Sequence, residues 1–420
     1  MTPHFFYLFA LSALSVALGI QLILLPWLVI DELSLSSVWV GWIQAAVLIP
    51  NLLLLLLGGL SADRDGVRYL WLVLLVNGLL HGMLAYIIHS HWLSIVLLLG
   101  YAGALGITNA FVQPWREYLL HQVNHHSESH SDDGLPSLVA KSSLCVYIGQ
   151  AAGVFLSSTM DIIGSEQLLL IQLCLVGLSI FGFYRVQHLL SSLAVNKIDN
   201  NTGGKNALSH RSQPIIELLK TSWEEMWCLP ALRSLLCIVA FNGFFHIGVF
   251  IVALPLIVQQ VYGQSVIYFS GLQLVFLLGT IVTTLAVIFK KGLDSPGRRV
   301  IFGLLYGGVI LLSISAKPTI VGLFVLLFFW GVVVGVSATM GRTILQSMAP
   351  DHCRGYMISL YQLCLFGFAP LGALFAGYAV QWWGVMDLLK VSGIASLLMF
   401  AALMGVRALW DVETTSVNKP

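Results

Sequence analysis

The sequence predicts an all-α integral membrane protein: twelve transmembrane helices in two six-helix bundles related by pseudo-symmetry. Three observations carry that expectation. Hydrophobic residues make up 58% of the 420-residue chain and charged residues only 9%, with a mean hydropathy of +0.89. A soluble domain carries about 25% charged residues, so this supply cannot cover a water-exposed surface. Second, a short charged loop between apolar runs occurs twice. Gly59-Leu-Ser-Ala-Asp63-Arg64-Asp65-Gly66-Val67-Arg68 is echoed by Asp294-Ser-Pro-Gly297-Arg298-Arg299, and Asp63/Asp294, Gly66/Gly297 and Arg68/Arg299 are each 231 positions apart. Third, with both termini placed in the cytoplasm, 18 of the 20 Lys and Arg residues fall inside and only Lys317 and Lys390 outside, as the positive-inside rule requires.

The elements follow in order. A bilayer core needs roughly 20 apolar residues per helix, and twelve such runs are present. They lie near 5–30, 38–60, 69–89, 92–114, 138–160, 166–188, 233–260, 266–289, 299–316, 319–346, 356–382 and 385–408. No Lys or Arg precedes the first run and no small-residue cleavage site follows it, so it reads as a retained span. Residues 1–190 form an expected first bundle, 191–232 a cytoplasmic linker, and 233–420 a second bundle with a short tail. Within the linker, Asn196–Asn206 reads as flexible. Ile216, Leu219, Trp223, Met226 and Trp227 recur at helical spacing among charges, which predicts an amphipathic helix on the inner membrane surface. Trp39, Trp42, Trp71, Trp92, Trp382 and Trp383, at span ends, read as interfacial anchors. The six cysteines never approach Cys-x-x-Cys spacing, and neither disulfide nor zinc site is expected.

A half-length repeat in an apolar chain is the mark of a transporter built from two similar halves. The loop after the second run resembles the signature loop of the major facilitator superfamily, and the resemblance spans essentially the whole chain. Gly19 to Trp27, Val40-Gly41, Pro50, Pro114-Trp-Arg116 and Gly341 to Gly355 resemble the branch of enterobactin exporters and macrolide efflux pumps. Two departures stand out. Val67 occupies a place usually basic in the family. In the fifth span Gly149 is followed by Gln150, where antiporters of the family carry Gly-Pro; the eleventh span keeps Gly367, Pro370, Gly372 and Gly377.

The resemblance implies an alternating-access carrier whose signature loop is a cytoplasmic gate latch, made of Gly59, Asp63, Arg64, Gly66 and Arg68, with Asp294, Gly297 and Arg299 as its second copy. Gly66 suits the tight turn. Family carriers line their cavity with the first, fourth, seventh and tenth spans. There the polar candidates are Ser15 and Gln21; Asn109, Gln113 and Arg116; Asn242 and His246; and Trp330 and Arg342. An intramembrane polar residue is a site candidate, with an interhelical hydrogen bond as the other reading; for the Asn242–His246 pair both stand.

All nineteen acidic residues fall in loops or at helix ends, which argues against cationic cargo. His81 and His246 are the in-span imidazoles able to titrate near neutrality. His81 lies in the peripheral third span and reads as structural; His246 is the candidate for proton coupling or cargo contact. The stretch His121 to Asp133, which includes His125, His126 and His130, mixes imidazoles and carboxylates. It reads as a hydrophilic insertion, with Zn or Ni binding as the alternative.

No P-loop, catalytic constellation or nucleic-acid signal is present, and no cofactor, no metal site and no enzymatic activity are expected. The partners implied are a small-molecule substrate, protons and the lipid bilayer, with the chain acting as a monomer in the cell inner (cytoplasmic) membrane. The expected function is proton-driven export, by antiport, of an amphipathic small molecule such as a siderophore or drug-like compound. The alternatives are an importer or facilitator of another metabolite, or a non-transporting membrane sensor with the same fold.

Overall fold

Hydrophobic runs of this length have no way to satisfy their backbone in lipid except as helices, and helices are what they form. The structure, a computed structural model, describes residues 3–65, 67–125, 135–198, 227, 229–289, 295–348, 354–405 and 409–410. In chain order the long helices are α1 (Pro3–Trp27, continued by a π-helical turn Leu28–Glu32), α2 (Ser37–Asp65), α3 (Leu70–His89), α4 (Ile95–His125), α5 (Leu135–Ser157) and α6 (Ser165–Ile198). After these come α7 (Pro230–Val261), α8 (Val266–Phe289), α9 (Pro296–Ser315), α10 (Ile320–Met348), α11 (Arg354–Trp383) and α12 (Val385–Met404).

Eleven of the twelve are long and apolar enough, among the described residues, to cross a membrane. The twelfth, α5, coincides with the predicted fifth run. Large apolar side chains such as Leu79, Trp92, Ile162 and Val321 lie on the outer surface. In water such a surface would be an aggregation liability; in lipid it is solvated.

The chain divides into two compact units, Met1–Leu33 with Ala46–Arg211, and Ser34–Ala45 with Ser212–Pro420. In the first, α1 packs along α5 and α6, and α3 against α4 and α6. Tyr7, Leu11, Leu70, Leu74, Leu119 and Phe183 belong to its apolar core. In the second, α7 packs on α11, α8 on α10, and α9 on α10 and α12, around Leu235, Ile301, Leu304, Ile344 and Met357. The first residues of α2 also belong to that second unit, where the Ser37 hydroxyl donates to the Gly377 carbonyl of α11 (2.9 Å).

Glycine sets how close these helices come. A Cβ on Gly153 of α5 would lie 2.0 Å from the Val16 carbonyl oxygen of α1, and one on Gly372 of α11 would lie 2.1 Å from that of Phe244 in α7. Between apolar helices in lipid, such backbone approach is a main source of attraction. The Gly149-Gln150 pair, noted as a departure from Gly-Pro, sits in this α1–α5 seam: a Cβ on Gly149 would meet Ser15 Cβ at 2.7 Å, and Gly19 faces the Gln150 carbonyl oxygen at 2.2 Å.

The first helix of each half ends alike. Pro26 and Pro255, the π turns starting at Leu28 and Ile257, and the left-handed residues Ser34 (φ 48°) and Gly263 (φ 59°) are each 229 positions apart. Proline supplies no N–H to the preceding turn and crowds the i−4 carbonyl, so the helix widens to an i→i+5 register just beyond it. The repeat therefore extends past the charged loop that revealed it.

Candidate functional site

The seventh helix is the most irregular of the twelve. Asn242–Gly248 forms a seven-residue π-helical segment inside α7, a feature that α1 lacks at the matching place, where Ala17 stands opposite His246 in the 229-residue register. Wider turns of this kind are frequent at functional sites. Asn242 and His246, four residues apart, lie on the same helix face, and both line a cavity of about 100 Å³ within the second unit. Trp330, Ser337 and Tyr361 supply the other polar or aromatic groups, and Leu, Ile, Val, Ala and Gly303 complete the wall. Among the described residues, no Asp, Glu, Lys or Arg lines it.

His246 is held on three sides. Its Nε2 lies 2.9 Å from Ser396 Oγ of α12, its ring meets Trp330 edge-on at 6.1 Å between centroids, and Gly307 of α9 leaves room for it: a Cβ there would sit 2.7 Å from His246 Cε1. Trp330 is itself wedged between Phe250 (5.1 Å, 88°) and Phe276 (6.3 Å, 86°). On the other side of the π segment, Phe244 and Phe245 pack with Phe375 of α11. The Trp330 indole Nε1 is buried and has no hydrogen-bond partner among the described residues. The side-chain amide of Asn242 and the hydroxyl of Ser337 likewise make no hydrogen bond within the described chain.

A second polar cluster lies inside the first unit. His81 Nδ1 of α3 is 2.8 Å from Tyr101 Oη of α4, which donates to Gln21 Oε1 of α1 (3.1 Å). Gln172 of α6 donates through Nε2 to both Gln21 Oε1 (3.1 Å) and the Ala17 carbonyl (2.8 Å). Four helices are stitched together without a charged group. Gln21 Nε2 and Gln172 Oε1 are left buried without partners. Asn77 of α3 donates to Thr108 of α4 nearby (2.8 Å). Gln21 was a candidate along its own helix, but nothing along the chain joined it to Tyr101, His81 and Gln172; the signal available was a pair of polar side chains in the third and sixth runs.

The remaining expected site residues are dispersed. Ser15 is fully buried and donates back to the Leu11 carbonyl (2.7 Å). Asn109 and Gln113 are partly buried on α4. Arg116 pairs with its neighbour Glu117 (3.4 Å), and its carbonyl accepts from the Tyr7 hydroxyl (3.2 Å). Arg342, on α10, is exposed.

In the first charged loop, Gly59, Asp63 and Arg64 fall in the last turns of α2, Gly66 lies outside the described residues, and exposed Arg68 stands 5.7 Å over the Tyr69 ring. Val67 is explained by burial: its side chain joins the first unit's core and its carbonyl accepts from Gln187 of α6. A basic residue there would be forced into an apolar seam. In the second loop, Asp294 lies outside the described residues. Gly297 is required by close approach, since a Cβ would meet the Leu409 carbonyl oxygen at 1.8 Å. Arg298 stacks on Trp410 (5.5 Å), and Arg299 is partly buried in the first turn of α9.

The His126–Asp133 part of the histidine-rich stretch and the amphipathic segment 216–226 lie outside the described residues. No group of three or more metal-ligating side chains occurs among the described residues. Cys145, Cys174, Cys237 and Cys364 are free thiols.

Twelve long helices in two pseudo-symmetric sets of six, eleven of them long and apolar enough among the described residues to cross a membrane, each set opening with a helix that widens just beyond a proline, define a polytopic membrane architecture. The model of the Major Facilitator Superfamily matches residues 6–373, and the chain belongs to that superfamily. No curated protein matches it in sequence. Among solved structures it is similar to the nucleoside transporter NupG (TM-score 0.75, 11% identity, 95% of this chain and 98% of that one). A POT family peptide transporter in an autoinhibited form is also similar (TM-score 0.72, 13% identity, 100% and 98%). So is a D-xylose-proton symporter (TM-score 0.68, 13% identity, 94% and 96%). At such identities the likeness is one of fold.

Proposed function

We propose that this membrane transporter works by alternating access and exports an amphipathic small molecule across the cytoplasmic membrane in exchange for protons, both of its termini lying in the cytoplasm. The observation that carries this reading is the cavity that Asn242 and His246 both line, within the π-helical segment of α7, whose described lining holds no charged side chain. A cavity of that kind suits a cargo with an apolar body and a few hydrogen-bonding groups. The nature of the wall argues against a small inorganic ion or a sugar phosphate, which need charged or densely polar partners. Export of a siderophore or drug-like compound follows from the resemblance of Gly19 to Trp27 and Gly341 to Gly355 to exporter sequences; the solved neighbours, named for nucleoside, peptide and D-xylose, carry other cargo on the same fold.

His246 is the group assigned to the coupling proton, being the imidazole on the cavity wall. A compound panel in inverted vesicles or proteoliposomes, with and without an imposed pH gradient, tests the whole reading. Gradient-dependent flux is expected in the native protein. In His246→Gln, gradient-driven flux should fall at least tenfold while exchange without a gradient persists. If His246→Gln keeps its gradient dependence and only its KM rises, the histidine contacts cargo and does not carry the proton. Flux indifferent to the gradient would make the protein a facilitator, and no flux of any compound would favour a sensor.

A further inference from the structure

We infer that Ser396 of α12 is a positioning residue that fixes the tautomer of His246, so that the neutral ring presents Nδ1–H, a hydrogen-bond donor, to the cavity. This deepens the transport reading above, on which its meaning for cargo rests: a molecule that meets this ring must offer it an oxygen or nitrogen acceptor.

Ser396 is 0% exposed, and its hydroxyl has a single hydrogen-bond partner in the described chain, His246 Nε2 at 2.9 Å. Other buried serines of this protein behave differently. Ser15, Ser157, Ser234 and Ser392 each donate to the carbonyl one turn earlier in their own helix, as helical serines can. Ser392 stands one turn before Ser396 on the same helix, yet only Ser396 gives its hydroxyl to another helix.

A hydroxyl has one proton to donate, and with water excluded it goes to the acceptor at hand. Here that is Nε2. An accepting Nε2 carries no hydrogen, so the neutral imidazole holds its proton on Nδ1. The opposite tautomer would point Nε2–H at Ser396 Oγ and leave the serine O–H with no acceptor among the described residues. An unmet buried donor is costly enough to favour the first arrangement at least about fivefold.

Nδ1 is the nitrogen left for the cavity. It has no hydrogen-bond partner in the described chain, yet it is not one of the buried polar atoms left unpaired, so it keeps open surface on the cavity that the ring lines. Packing holds the ring in this sense: Gly307 backs Cε1, and Trp330 and Phe241 each stand 6.1 Å away between centroids. Protonation adds the second hydrogen at Nε2, where Ser396 Oγ accepts it as the hydroxyl turns. Nδ1–H is kept, and the ring is a donor to the cavity in both charge states.

The test uses purified full-length protein in nanodiscs, labelled with ring-15N histidine and read by nitrogen NMR at mildly alkaline pH. The His246 signals are assigned by their loss in His246→Gln, or in His246→Phe should the first not fold. A protonated Nδ1 and a bare Nε2 are expected, at least about fivefold over the other tautomer. Ser396→Ala should bring the two tautomers to comparable populations, and Ser396→Thr, which keeps the hydroxyl, should restore the bias. A purely structural serine would lower the melting temperature in Ser396→Ala and leave the tautomer as it was.

A native ring with its proton on Nε2, or with both tautomers equal, overturns the inference. So does a native bias retained in Ser396→Ala. Should that variant not fold, the native spectrum decides alone. Failure here and failure of the transport reading are distinguishable. Gradient-driven flux that depends on His246, with the proton found on Nε2, sinks the tautomer assignment alone. The expected spectrum without flux of any compound sinks the transport reading alone.

Discussion

At the scale of single residues, the polar groups inside this chain are mostly partners of one another. Tyr101 shows the pattern: its hydroxyl stands between His81 of α3 and Gln21 of α1. Replacing it with Phe removes the bridge without changing shape much, and leaves buried His81 Nδ1 without its partner while Gln21 Oε1 keeps Gln172. Tyr101→Phe should destabilise the first unit by about 1–3 kcal/mol, read as a lower thermal midpoint in detergent. A double-mutant cycle with His81→Phe should show coupling, since residues in one hydrogen-bond network do not add. Additive losses would mean that the cluster is not a network. His81 was legible as buried and structural; its link to Gln21 was not, because the residues are 60 positions apart in sequence and only helix packing brings them together.

At the scale of helices, glycine positions decide the seams. Gly153→Ala places a Cβ 2.0 Å from a carbonyl oxygen of α1, where only backbone movement can relieve it, whereas a Cβ on Gly100 of α4 meets nothing within 4 Å. Overpacking a helix interface costs about 1–3 kcal/mol. Gly153→Ala and Gly372→Ala should therefore both melt markedly lower than the native protein, and Gly100→Ala should not. Equal midpoints for all three would show that the α1–α5 and α7–α11 seams tolerate opening. Helix positions were readable from apolar run length, because a bilayer sets that length, except at the ends of α4 and α6, which continue to His125 and Ile198, past the predicted ends at 114 and 188. The π segments were not readable. They depend on how Pro26 and Pro255 shift the hydrogen-bond register, and on the packing of α7 between α9, α11 and α12.

At the scale of the molecule, the duplicated architecture implies one sidedness for the whole chain. If both termini are cytoplasmic, Ser36 in the turn after α1 faces outward and Ser416 in the tail faces inward. In a background free of the native cysteines, a membrane-impermeant maleimide applied to intact cells should label Ser36→Cys and spare Ser416→Cys, with labelling of both after permeabilisation. Labelling of the tail in intact cells would reverse the orientation argued from Lys and Arg placement, and with it the direction assigned to transport.

The sequence alone determined the class, the helix count and the doubling, since all three rest on composition, run length and repeats along the chain, which lipid and topology constrain directly. It also named Asn242, His246 and Trp330 as candidates. Only tertiary structure decided that these three share one wall while Ser15 and Arg116 are spent on their own neighbours. The reason is physical: a side chain's polarity is written in its identity, but whether its hydrogen bonds are already met depends on which helix lies against it.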